Sequence, residues 1–315
     1  MDDVLSHSER VNRATLHRLM ARSDAAGLVH LSASLALLGA AAIAAARLAA
    51  AGDPWWLAAA TLGGLALTSF FPALHESGHG TAFRTPLLNR ATAWLGGVLM
   101  LQSPSFFREF HWEHHRQTQS RERDPEIALG RGILGDWPRN PLLYLVLASG
   151  QPVLLGKLMF TAACALLPAG LWRRLFPWVR DAHTRAVAWE SRLVLALLAA
   201  VVVAGSAYVP GFWAVLLAWP IGHVFLGLYL LPEHTGLPHD GSQLHRTRTL
   251  TTPAVVRWWM WNMPYHGEHH AYPAVPFHAL PQLHELLAPE LEHTGRGYLA
   301  FHAEALLRSI VRRSG

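Results

Sequence analysis

Four stretches of this chain are almost wholly apolar for long enough to cross a bilayer. Leu28 to Ala50 and Trp55 to Leu74 are separated only by the turn Gly52-Asp53-Pro54. Leu193 to Tyr208 and Phe212 to Leu231 repeat the arrangement around Pro210-Gly211. Each pair reads as a tight transmembrane hairpin, with spans near residues 28–50, 55–74, 193–209 and 211–231. Two further apolar stretches are interrupted. Residues 91–107 contain Gln102, Ser103 and Pro104, and residues 141–172 contain Gln151, Pro152, Lys157 and Pro168. Both are expected as interfacial or re-entrant helices, not as full spans. The expected fold is all-α: a single membrane domain over residues 1–315, two hairpins and a helical cap. Tyr298 to Arg313 patterns as an amphipathic helix lying on that cap or on headgroups.

Charge placement gives the sidedness. The turns at 52–54 and 210–211 hold no Lys or Arg. Arg10, Arg13, Arg18 and Arg22 precede the first span, Arg173 to Arg192 precede the third, and Arg246 onward follows the fourth. The positive-inside rule then predicts cytoplasmic termini and a cytoplasmic 75–190 region, with a bacterial inner membrane as the expected setting. Trp55, Trp56, Trp258, Trp259 and Trp261 fit interfacial anchors.

Composition narrows the classes. Half of the 315 residues are hydrophobic, and the mean hydropathy of +0.20 suits a membrane protein with a large water-exposed part. The lone Cys164 excludes an internal disulfide framework and a cysteine-only metal site. The net charge of +5 is carried by Arg, with Lys157 the only lysine. No basic stripe is interleaved with aromatics, so nucleic acid is not an expected partner. The acidic start Met1-Asp2-Asp3 predicts no cleavable signal peptide.

The polar positions that matter are histidines. His111-x-Glu113-His114-His115 and His266-x-Glu268-His269-His270 are two copies of one pattern, and His75-Glu76-x-x-His79 precedes both. With 20 His in 315 residues, chance would yield such a triplet well under once. Spacings of three and four put the imidazoles of each box on one helix face. His75 and His79 fall at the cytoplasmic exit of the second span and His234 just past that of the fourth, so every cluster lies on one side at similar depth. His234 is preferred over His239 because it is nearer the span. Nine imidazoles are too many for one ion and suit two, and a nitrogen-rich set favours redox iron over magnesium or calcium. Glu76, Glu113, Glu268, Glu233 and Asp124, with Glu126, are candidates to accept the outer N–H of a ligating imidazole. Asn262, four residues before His266, is a weaker candidate. His223, about 16 Å along the fourth span from His234, is too far to share its metal and is expected to line a substrate passage. His30 is expected to be structural, and His278 and His284 are suspected of supporting the third box.

These boxes, together with Asp124-Pro125-Glu126, Glu233-His234-Thr235-Gly236 and Trp261-Asn262-Met263-Pro264-Tyr265, resemble the membrane fatty acid desaturases, the integral-membrane histidine-box di-iron oxygenases. The likeness runs from about Leu74 to Leu287. It implies four spans, a cytoplasmic cap, two irons held by the histidines, and O2 as co-substrate in removing hydrogen from an unactivated C–H bond. Desaturation of a fatty acyl or lipid chain is the leading expectation. Hydroxylation or ketolation of a lipid, alkane or carotenoid uses the same ligands. The sequence carries no flavin, iron–sulfur or haem motif, so a ferredoxin- or rubredoxin-like donor with its reductase is the implied partner. Two remoter readings remain. His75-Glu76-x-x-His79 is also the pattern of zinc proteases, whose further ligand here would have to be Asp240. A non-redox metal-binding or transport protein would place ligands along its spans.

Overall fold

The computed structural model describes residues 11–128 and 135–311; His7 and Arg10, and Arg312 and Arg313 of the expected C-terminal helix, lie outside the described residues. It is mostly helical, and four helices are long and apolar enough to cross a membrane: α1 (Asp24–Ala50), α2 (Trp56–His79), and two that are labelled below. Ser23 caps α1 by accepting the Ala26 N–H at 3.2 Å, and Asp24 follows in the first turn. α2 is broken at Ser69, whose hydroxyl bonds to Ser34 of α1 at 2.7 Å. It then runs on past the expected end at Leu74 and stops at Gly80, whose φ of 72° closes the helix.

Between α2 and the next span the chain forms four longer helices and two short ones, Pro125–Ala128 and Ala169–Leu175, among the described residues. α3 (Pro86–Leu99) and α4 (Pro104–Gln117) divide the stretch expected near 91–107, because Leu101 adopts φ 62° and Ser103 starts a new helix by capping Phe106 N. α5 (Pro141–Ala148) and α6 (Gln151–Leu166) are bent by 55° about Gly150. That glycine has φ 65°, and a Cβ on it would meet the His223 carbonyl at 1.5 Å, so the bend is seated directly on the fourth span.

α7 (Asp181–Tyr208) and α8 (Phe212–His234) complete the spans. Each starts or ends outside the expected apolar run: α7 begins well before Leu193, and α8 passes through Pro232 to finish at His234. Small residues let α2 and α8 meet closely; Gly64 faces Gly222, and Thr68 donates to the Gly222 carbonyl at 3.1 Å. The apolar windows of α1 and α7 are only 22% and 17% buried, against 67% for α2. The first and third spans are therefore peripheral, and α2 is central.

The C-terminal third holds α9 (His266–Ala271), α10 (Leu280–Leu287) and α11 (Tyr298–Val311). α11 packs Phe301 and Ala305 against Tyr144 and Ala148 of α5. The expectation of an all-helical chain misses one parallel ladder, Thr249–Leu250 with Thr294–Gly295, too short to leave an alternating pattern. Among the tryptophans, Trp55 is 70% exposed, but Trp261 is fully buried in the core with Phe70, Leu74, Phe83 and Phe277, which corrects its reading as an anchor.

Two carboxylates fasten α4 to α7. Glu190 accepts the Ser105 N–H and hydroxyl at 2.7 Å each. Glu109, buried, is held by Arg180 through Nε and Nη2 at 2.9 and 2.7 Å and by His183 at 2.7 Å. Burial alone would raise the Glu109 carboxyl, but the bonds from Arg180 and His183 hold it at about 2 against an ordinary 4.5. We expect Glu109→Ala to cost about 2 kcal/mol, the scale of a charged hydrogen bond, since Arg180 is exposed enough to remain solvated. Because the folded value is depressed, this stabilisation is complete above pH 4.5 and drains away as the pH falls toward 2. Melting temperatures of the two proteins in detergent should differ at neutral pH and converge at low pH.

Candidate metal centre

Three helix ends and one short helix bring the histidines together. α2 carries His75 and His79 one turn apart at its C-terminus. α4 carries His111, His114 and His115, α8 ends on His234, and α9 presents His266, His269 and His270. Entry into α9 is fixed by a tight backbone reversal: Trp261 and Asn262 both lie in the left-handed region, with φ of 51° and 55°. Asn tolerates that conformation and Trp does not, so the burial of Trp261 against His30 and Phe277 must hold it there. His30 is stacked on Trp258 at 4.5 Å in the same cluster, a packing role as expected.

The nine imidazoles fall into two groups, each with its ligating atoms within 4.8 Å of one another. His75, His79, His111, His115 and His269 make one; His114, His234, His266 and His270 make the other. Within the first, Nε2 atoms face each other at 2.9 Å (His79 and His111), 3.0 Å (His111 and His115) and 3.2 Å (His115 and His269). Within the second they face at 3.0 Å (His234 and His266) and 3.3 Å (His114 and His270). Two nitrogens each about 2.1 Å from one ion, at near a right angle, would be about 3.0 Å apart.

The outer nitrogens show which tautomers are present. His234 Nδ1 donates to the Arg246 carbonyl at 3.0 Å, and His114 Nδ1 donates to Asp124 at 3.0 and 3.1 Å. The Thr118 hydroxyl spends its proton on the His114 carbonyl, so it accepts from His270 Nδ1 at 3.3 Å. With their protons on Nδ1, these rings in their neutral form point Nε2 lone pairs at the facing imidazoles. Facing lone pairs repel unless a cation lies between them, so the donor set fits metal ions. Burial keeps His111, His115, His266, His269 and His270 well below the usual imidazole range, hence neutral. Burial would depress His114 too, but the Asp124 charge beside it, with Glu126 next, lifts it to about 9, so without an ion this ring also holds a proton on Nε2, facing His270, which a bound metal would displace.

The carboxylates differ from one another. Asp124 touches a ligand directly, Glu233 Oε1 lies 3.5 Å from His266 Nδ1, and Glu76 Oε1 lies 3.6 Å from His75 Nδ1. Glu76 Oε2 is taken by Thr81 at 2.8 Å and by Phe277 N at 3.0 Å, which leaves it badly placed for a protease-type general base. Asp240 is exposed. Three expectations need correction. Glu113 points away and pairs with Arg116 at 2.6 Å. Asn262 donates to the Phe277 carbonyl at 3.1 Å and not toward His266. Glu268 receives His284 and the Thr249 hydroxyl, so it ties α9 to the ladder and to α10 without touching a ligating ring. His239 is in neither group; its Nδ1 donates to the Gln119 carbonyl at 2.7 Å.

One wall of the centre opens on a cavity of about 270 Å³. His75, His111, His114, His234 and His266 meet it, and Phe71, Phe106, Phe107, Phe110 and Phe160 line much of the rest. His223, expected along such a passage, is not among the lining residues; it is fully buried with Nδ1 on the Trp219 carbonyl at 2.8 Å.

The sequence pattern of the family described as Fatty acid desaturase matches residues 53–302, which covers all nine histidines. The chain belongs to the fatty acid desaturase family. It is 25% identical over 248 residues to the sphingolipid delta(4)-desaturase of Komagataella phaffii, covering 74% of this chain and 62% of that protein. It is 25% identical over 259 residues to the acyl-lipid (7-3)-desaturase of Diacronema lutheri, covering 72% and 55%. The chain thus spans about three-fifths of the length of the curated relatives it matches.

In this desaturase-family chain, with its four apolar helices, the site is a membrane protein's site. Two of its supports carry no motif of their own. Gln119, at φ 64°, receives its carbonyl's bond from His239, gives its N–H to Asp124 at 2.7 Å and its side-chain amide to the His234 carbonyl. It thereby joins the end of α4 to the end of α8. Thr118 is the other; only its position three and four residues after His115 and His114 hints at a role.

Proposed function

We propose that this chain is a membrane di-iron oxygenase that desaturates a lipid-like acyl chain, with O2 as co-substrate and an external electron donor. The observation that carries the reading is the pair of converging imidazole groups set in the wall of an apolar cavity. Iron is the ion that best joins a nitrogen-rich ligand set to redox chemistry, and a bound pair would supply the oxidising power to attack an unactivated C–H bond. The chain's own residues orient and exclude. Asp124, Thr118 and the Arg246 carbonyl fix Nδ1 protons so that lone pairs point inward. The phenylalanines around the cavity bind apolar chain and keep out water.

Removing two hydrogens from the substrate while reducing O2 to two waters requires two more electrons and two more protons. A ferredoxin- or rubredoxin-like protein with its reductase suits that need, and an acidic partner would match the basic chain. In this reading the spans form two hairpins in a bacterial inner membrane, with the termini and the helical cap bearing the centre in the cytoplasm. The relatives are named for sphingolipid and acyl-lipid desaturation, which favours alkene formation over hydroxylation here. Mass spectrometry of lipids from cells with and without the gene tests this. Products lighter by two hydrogens are expected; products heavier by one oxygen would establish a hydroxylase instead, and no change in any lipid would defeat both.

A further inference from the structure

The cavity contains one cation that the metal centre does not use. Lys157 is the chain's only lysine, and it is 92% shielded where the arginines that pair are surface residues. It lies on α6 and lines the cavity. Its Nζ has Met100 Sδ at 3.8 Å and the Phe71 ring at 5.7 Å, and no carboxylate within ion-pair reach among the described residues. Burial disfavours an ammonium in such surroundings unless something supplies an acceptor.

Nearby groups point the same way. Thr161, one turn further along α6, donates to the Leu101 carbonyl at 2.8 Å and so brings the 100–102 segment alongside Lys157. Gln102 in that segment is buried, lines the same cavity, and its side-chain amide makes no hydrogen bond to the described residues. Lys157 is also close to the metal centre. The Phe71 ring that it approaches lies 6.3 Å from the His75 ring, so a single aromatic side chain separates the amine from the first histidine group.

We propose that Lys157, assisted by Gln102, binds a hydrogen-bond-accepting oxygen of the substrate, a carboxylate or carbonyl, and so fixes which carbon faces the metal centre. The inference rests on the functional reading above and narrows it: the substrate is an oxygen-bearing chain, not a plain hydrocarbon, and its oxidised carbon lies a short stretch of chain from that oxygen. Lys157 is a positioning residue here, since it touches substrate at a distance from the reacting carbon. A charged hydrogen bond of this kind is worth roughly ten- to a hundredfold in affinity.

Binding of dodecanoic acid, methyl dodecanoate and dodecane to the metal-loaded full chain in nanodiscs tests the proposal. The wild type should bind one or both oxygen-bearing probes at least about tenfold more tightly than dodecane. Lys157→Met should bring all three within about threefold of one another. Loss of preference for the acid alone identifies a carboxylate, and loss for the ester as well identifies a carbonyl. Lys157→Met removes an unpaired buried charge without changing side-chain length much, so its melting temperature should not fall; Lys157→Gln, which keeps a donor and should retain part of the preference, serves if Met does not fold. A wild type indifferent to the oxygen, or a Lys157→Met protein as selective as the wild type, overturns the proposal. Turnover separates the two readings. An active enzyme whose double-bond position is unchanged by Lys157→Met removes only the role of Lys157, whereas a selective binder that oxidises no lipid removes the desaturase reading.

Discussion

Replacing His269 with alanine is expected to abolish metal loading and lipid turnover together. Its ring is fully buried, its centroid lies 4.4 Å from that of His75 and 4.8 Å from that of His79, and its Nε2 faces His115. Among the described residues it is the one α9 histidine in the first group, so that group would lose its ligand from the C-terminal third. Removing a residue that merely orients a ligand costs about 10–100-fold, and removing the ligand itself should exceed that, on the order of 100-fold or more in metal affinity. Elemental analysis of purified protein beside an O2-consumption assay with lipid and reductant gives both readings. A His269→Ala protein with wild-type iron content and rate would sink the assignment of this centre.

The second large effect is expected at Asp124, which ligates nothing. Both of its oxygens meet His114 Nδ1, and they also accept the Gln119 and Glu126 N–H groups. Asn at this position can turn its amide NH2 toward Nδ1. The proton of His114 would then move to Nε2, the nitrogen that must stay bare. Asp124→Asn should therefore lower metal affinity and rate by about 10–100-fold, while Glu113→Gln, which only releases Arg116, changes them by less than about twofold. Equal behaviour of the two variants in a metal titration would contradict the hydrogen-bond argument.

These contrasts show what a sequence can and cannot tell about such a site. Spacings of three and four residues state which imidazoles share a helix face, and all nine proposed ligands do stand in the two groups. Hydropathy located the four spans but misjudged their ends: the polar last turns of α2 and α8, with His75 to His79 and His234, are continuous with the apolar helix because tertiary packing stabilises them. Spacing says nothing of the facing element. Glu113 and Glu268 occupy equivalent places in their boxes, yet one meets Arg116 and the other meets Thr249 and His284, because different segments pass beside α4 and α9. Asn262 and His223 failed for a local reason, since each spends its donor on a nearby carbonyl. The left-handed pair at Trp261 and Asn262 was hidden because neither residue is glycine. Lys157 was visible only as a polar interruption in an apolar stretch.

The two histidine groups also bear on how the chain is kept together. The first joins His75 to His269 and the second joins His114 to His270, so an ion in either one staples segments that are remote in sequence. A protein whose single cysteine can form no internal bridge would acquire two cross-links from its metals. Chelation should then loosen the whole architecture as well as stop the chemistry, and resistance to protease would become a direct gauge of how fully the protein is loaded.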